Sequence, residues 1–126
     1  MTSNTMTSNA MLRELISDAV PITAAGTSEP VAVTSPELLL RLTLRETAEQ
    51  QALTISVQAS PDGVAWGQPF AALPQVFYPG EWMLRIQPPP QSRAVRVQWQ
   101  VQRWGRGSLA PWCRFQLAIG PGNPGG

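Results

Sequence analysis

Residues 36–46 read PELLLRLTLRE. Leu38, Leu40, Leu42 and Leu44 fall on one parity, and Arg41, Thr43 and Arg45 on the other. Successive side chains of an extended backbone point to opposite faces, so this run is a half-buried strand with one apolar and one polar face. The same period recurs along the chain. In ALTISVQAS, Leu53, Ile55, Val57 and Ala59 alternate with Thr54, Ser56, Gln58 and Ser60. In EWMLRIQ, Trp82, Leu84 and Ile86 alternate with Met83, Arg85 and Gln87. AVRVQWQVQRW turns Val95, Val97, Trp99 and Val101 inward, and WCRFQLAIG does the same with Cys113, Phe115, Leu117 and Ile119.

Five alternating strands, with a weaker one at VAV (31–33), are separated by breaks rich in Pro and Gly. The connections are too short for helical crossovers, which parallel pairing requires. The pattern therefore predicts an all-β fold, an antiparallel β-sandwich of jelly-roll-like form, over residues 21–120. GQPFAALPQVFYPG and QPPPQSR are expected as loops or edge strands, because proline has no N–H for a central ladder. The tail PGNPGG at 121–126 is expected to be flexible.

At the other end, MTSN occurs twice in the first nine residues, and SNA precedes Met11. Residues 1–10 read as a flexible leader or a vector-derived remnant. Over 11–20, Leu12, Leu15, Ile16 and Ala19 lie at helical spacing, with Asn9 as a candidate N-cap and Pro21 as a stop. This predicts a short helix that either docks its apolar face on the domain or serves as an arm to a neighbouring subunit.

Length and composition bound the function. The chain has 126 residues, 43% hydrophobic and 13% charged, with thirteen Pro and ten Gly, which suits one compact domain rich in turns. Net charge is +1, and all nine basic residues are Arg, which argues against a dedicated nucleic-acid binder. Residues 1–80 hold three Arg against seven carboxylates, and residues 81–126 hold six Arg against Glu81 alone. Such asymmetry can orient encounters between identical copies. No apolar run reaches about 18 residues, so no membrane-spanning segment is expected. No secretory signal is visible, and the expected location is the cytoplasm or a virion.

Catalytic routes are few. Without His there is no imidazole base and no Ser/His or Cys/His pair. The single cysteine, Cys113, lies on an apolar strand face and reads as an inert core thiol. No phosphate-binding loop, cofactor motif or metal-ligand set occurs, so no catalytic residue, cofactor or metal is assigned and a non-enzyme is expected.

Between the second and third long strands lies SPDGVAW, Ser60 to Trp66. Ser60, Pro61, Asp62 and Gly63 fit a tight turn, with Gly63 free to take positive φ, and Trp66 is expected to fold back and close one end of the core. A lone carboxylate, Asp62, makes neither a calcium loop nor a glycosidase pair. RWGRGSLAPW, 103–112, is the best candidate contact surface: Trp104 and Trp112 accompany Arg103, Arg106 and Arg114, and Trp and Arg are enriched at binding hot spots. Alternatively, both Trp side chains pack under their own loop or against the N-terminal segment.

Taken in order, the Leu-rich strand, the strand running into S-x-DG-x-x-W, the aromatic loop with Phe70 and Phe77, R-x-V-R-V-x-W-x-V and W-x-R-F-x-L-x-I resemble small β-sandwich structural proteins of tailed phages and prophages. The resemblance spans roughly 31–120 and rests on Ser60, Asp62, Gly63 and Trp66, then Arg93, Val95, Arg96, Val97, Trp99 and Val101, and last Phe115, Leu117 and Ile119. It implies a virion role such as capsid decoration or a head or tail accessory subunit. The partners would be a capsid or tail protein and further copies of the chain, contacted by strand-edge pairing and the Trp/Arg surface. The turn is also similar to those of discoidin-like carbohydrate-binding sandwiches, which implies a sugar-binding alternative with Trp66, Trp104 or Trp112 as the platform. The long 103–112 connection departs from the shorter polar loop of the phage-like group.

Overall fold

The structure is a computed structural model, and it describes residues 12–19, 21–104 and 111–122. Nine strands follow in chain order: β1 (Arg13–Ile16), β2 (Gly26–Thr27), β3 (Val31–Ala32), β4 (Leu38–Thr47), β5 (Gln51–Ser60), β6 (Ala71–Ala72), β7 (Gly80–Ile86), β8 (Ala94–Arg103) and β9 (Cys113–Pro121). They form two antiparallel sheets, ordered β1-β9-β4-β7 and β2-β8-β5-β6, with β3 also on β8. The expected all-β sandwich is therefore what the chain forms.

Its topology follows from the pairing. Counting β2 and β3 as one interrupted strand, β1 pairs with β9, β2/β3 with β8, β4 with β7 and β5 with β6. That is one long folded-back hairpin. Rolling it up brings β4 against β9 and β5 against β8, so consecutive long strands alternate between the sheets. This rolled hairpin is the jelly roll.

The alternation read from sequence decides what lies between the sheets. Leu40, Leu42, Ile55, Val57, Val95, Val97, Phe115 and Leu117 are fully sealed. Trp99 on β8 meets Phe115 on β9 edge-on, with ring centroids 6.0 Å apart, and joins the two sheets through their central strands. Each such side chain contributes about 1.5–3 kcal/mol by leaving water. Trp82 and Leu84, on the terminal strand β7, are only partly covered.

The helix expected within 11–20 is not formed: Arg13–Ile16 is a strand that pairs with β9 along Leu117–Ile119, with a register shift after Glu14. A single short helix is marginal by itself, whereas the open edge of β9 offers unpaired backbone groups. Leu15 and Ile16 still pack against the core, so apolar periodicity marked the right residues and the wrong geometry. Arg13 pairs with Glu29 at 3.0 Å, and Gln116 donates to Glu14 at 2.6 Å, holding the strand in place. The leader at 1–10 lies outside the described residues, as does most of the tail.

Phe115 is the largest side chain wholly within the core. Phe115→Ala is expected to lower unfolding free energy by about 3–5 kcal/mol, which chemical denaturation followed by tryptophan fluorescence measures.

Candidate functional site

The SPDGVAW stretch closes β5 and opens a wide hairpin to β6. Ser60, fully buried, accepts through Oγ from the N–H groups of Gly63 at 2.8 Å and Asp62 at 3.3 Å, and donates to Asp62 Oδ1 at 2.9 Å. The same Oδ1 accepts from the N–H groups of Val64 and Ala65, both at 2.9 Å. Gly63 takes φ +78°, the conformation for which glycine was expected there. Hydrogen bonds from Ala65, Val64 and Ser60 favour the ionised carboxylate and lower the pKa of Asp62 from the usual 3.8 to about 2. Ser60 Oγ and Asp62 Oδ1 thus bind one another and four N–H groups of the same turn, so the motif acts as a turn lock.

Trp66 corrects the sequence reading. It does not close the core but lies half-exposed outside the β5/β8 sheet, with the Arg96 guanidinium 4.6 Å from its ring centroid. Arg96 in turn donates to Gln58 Oε1 at 2.8 Å, and Gln58 donates to the Gly67 carbonyl at 2.9 Å. This cluster borders a groove of about 410 Å³ on the outward face of the sheet, lined by Thr54, Ser56, Gln58, Gln68, Gln98 and Gln100, with Pro69 at its edge. Thr54 faces Gln100 and Ser56 faces Gln98 across the ladder. The groove carries hydroxyls and amides and no charge.

A different surface forms at the end of the sandwich where β4 turns into β5. Trp104, expected as a contact residue, is 50% exposed, and its N–H donates to the Gln50 carbonyl at 2.9 Å, extending the β5/β8 ladder. Its ring stands edge-on to Phe77 at 6.0 Å, and Phe77 adjoins Tyr78 at 6.3 Å. Phe77 is 40% exposed and Tyr78 75%. These three rings and residues 47–51 enclose a cleft of about 390 Å³. Phe77 and Tyr78 arrive because Val76 bridges to Leu53, anchoring the segment beside β5.

The other expected contact residues separate. Arg103 donates from Nε to the Glu49 carbonyl at 3.1 Å, next to the cleft. Trp112 is half-buried and held from behind: the side-chain amide of Gln51 accepts from the Trp112 N–H at 2.9 Å and donates to its carbonyl at 2.7 Å. Gln51, 2% exposed, thus imitates a strand partner and pins the start of β9 to the β4–β5 corner. Arg114 is committed to Glu46 at 3.3 Å and contacts the Ala19 carbonyl at 3.5 Å. Arg106 lies outside the described residues.

No protein-family model matches this chain, and no curated protein matches it. Among the described residues no three His, Cys, Asp or Glu gather as a metal site, and no helix is long and apolar enough to cross a membrane. Burial pushes the Cys113 thiol up to about 11, which keeps it protonated and suits the core role read from its parity.

Tyr78 and Gln51 escaped sequence reading. FYPG, 77–80, did carry a signal: two adjacent aromatics in a loop where no alternation assigns them to a core. Gln51 carried none, since its role depends on a backbone 61 residues away in sequence.

Because the folded-state pKa of Asp62 is depressed, its contribution to stability is complete above its unfolded value and is lost as pH falls through the folded one. Stability is expected to decline between pH 3.8 and about 2, and Asp62→Asn is expected to flatten this part of the curve. Urea midpoints measured across that range test it.

Proposed function

We propose that this chain is a non-enzymatic structural subunit of a phage or phage-derived particle, of the capsid decoration or head/tail accessory kind, and that it attaches to another protein through its aromatic end. The observation that carries the reading is the exposed cluster of Phe77, Tyr78 and Trp104. None of these rings belongs to the core cluster; they pack on one another at the surface. Aromatic side chains grouped at the surface beside an Arg form the composition of a binding hot spot. The order of strands and motifs over 31–120 supports the particle context, and the jelly roll is an architecture that shells of repeated subunits use.

Density-gradient fractionation of lysate from the source cells after prophage induction, with peptide mass spectrometry, tests this. The chain is expected in a dense particle fraction at stoichiometric level, and Trp104→Ala is expected to move at least tenfold more of it into the soluble fractions. Recovery only in soluble fractions, with other particle proteins detected, counts against the reading.

A second reading, a carbohydrate-binding module, rests on the uncharged groove outside the β5/β8 sheet. Glutamine amides and hydroxyls offer donors and acceptors side by side, matching the hydroxyls of a neutral sugar, and Trp66 stands at the margin. On this reading a glycan screen yields a ligand that changes tryptophan fluorescence, and Gln98→Ala with Gln100→Ala abolishes the change.

A further inference from the structure

The two ends of the sandwich are chemically unlike. β4 runs from Leu38 to Thr47 and β5 returns from Gln51 to Ser60, while β8 places Ala94 opposite Ser60 and Arg103 opposite Gln51. The aromatic cleft therefore lies at one end, beside Thr47, Gln51 and Trp104. At the opposite end, where β7 passes into β8, a cleft of about 410 Å³ lies between residues 33–36 and 88–92. Its walls include Pro36, Pro88, Pro89 and Pro90, of which Pro36, Pro89 and Pro90 are exposed.

From this pairing of surfaces we infer that the proline-walled end of one copy seats on the aromatic end of the next, so that copies stack head to tail. The inference rests on the reading of the aromatic end as the contact surface and names its occupant. Proline rings are rigid and apolar and lack an N–H, so a short run of them meets aromatic rings with little ordering cost and no buried donor left unpaired. Tyr78 lines the aromatic cleft and Pro89 and Pro90 the proline cleft, and all three are exposed and so open to contact from a second copy. One ion pair is available between copies: Glu49 lines the aromatic cleft, beside Arg103, and Arg93, exposed, follows Ser92 at the proline end.

Backbone strain marks the same two places. Among the described residues, positive φ on a non-glycine occurs at Gln50, φ 54°, and Gln91, φ 68°. Gln50 lines the aromatic cleft and Gln91 the proline cleft. At Gln91 the Ser92 N–H donates to the Pro89 carbonyl at 3.2 Å, a turn whose third position favours glycine or asparagine. Strain held on an ordinary side chain gathers at sites with a task beyond folding. Because the two surfaces differ, their contact is heterologous, and repetition closes a ring or extends a column.

Sedimentation velocity on the full chain tests the inference. Wild type is expected to form species larger than a dimer as concentration rises. Tyr78→Glu spoils the aromatic end and Pro89→Glu the proline end; each alone is expected to sediment as a monomer. Their equimolar mixture is expected to form a one-to-one dimer and nothing larger, since it retains one intact pair of ends. Glu49→Arg and Arg93→Glu supply an independent pair should either first variant fail to fold: each alone is expected to sediment as a monomer, and their mixture, in which every junction again sets a Glu against an Arg, is expected to recover species larger than a dimer. A mixture of folded variants that stays monomeric while wild type self-associates overturns the head-to-tail arrangement. A wild type that remains monomeric at about 1 mM, where even a weak contact is half populated, overturns the second copy as occupant. In that event particle fractionation separates the two ideas: chain recovered on the particle and lost with Tyr78→Glu leaves the functional reading standing with a different partner, whereas its absence from the particle removes that reading also.

Discussion

One constraint governs this molecule: consecutive long strands pass from one sheet to the other, yet each must deliver its apolar parity to the same interior. The edge-on contact of Trp99 with Phe115 sits where that requirement is strictest, between the central strands of the two sheets. A slip of one residue in β8 would turn Val97 and Trp99 outward and bring Gln98 inside, and a slip in β9 would do the same with Phe115, Leu117 and Gln116. Register is therefore enforced by the core, and the corners between strands must absorb the crossings.

Those corners make the two ends of the sandwich, and the ends carry what is unusual. The β4–β5 corner has only residues 48–50 in which to change sheets, with Gln50 at positive φ. Gln51 immediately clamps the backbone of Trp112, and the Ala48 N–H reaches the same carbonyl at 3.2 Å. With the corner so tied, Trp104 and Phe77 are held beside it while still half in water. At the far end, the β7–β8 crossing makes its turn with Pro90 and Gln91, and Arg85 bridges Glu37 and the Gly122 carbonyl at 3.1 and 3.2 Å. The contact surfaces proposed above thus stand on firmly held backbone, which lowers the ordering cost of binding.

The sheet faces between the ends are quieter. The turn lock of Ser60 and Asp62 directs Oγ and Oδ1 to its own turn, and the Arg96–Trp66 stack covers part of the outer face. What remains open on the β5/β8 sheet is neutral, which explains why charge counting along the chain says nothing about it.

The sequence by itself determined the apolar parity of the long strands, where they run and where Gly63 must turn, because alternation and turn chemistry are properties of a few consecutive residues; it did not mark Gln51, Ser60, Leu73 and Val76, which the fold also buries. Tertiary structure alone decided the rest. The N-terminal apolar periodicity became β1 because the edge of β9 supplied hydrogen-bond partners that no local pattern encodes. Trp66 went to the outer face because Arg96, thirty residues on, was there to receive it. Tyr78 and Phe77 joined Trp104, and Arg114 left it for Glu46, because rolling the hairpin sets which distant corners meet. Parity is written in the covalent chain, whereas neighbourhood is written in the order of strands.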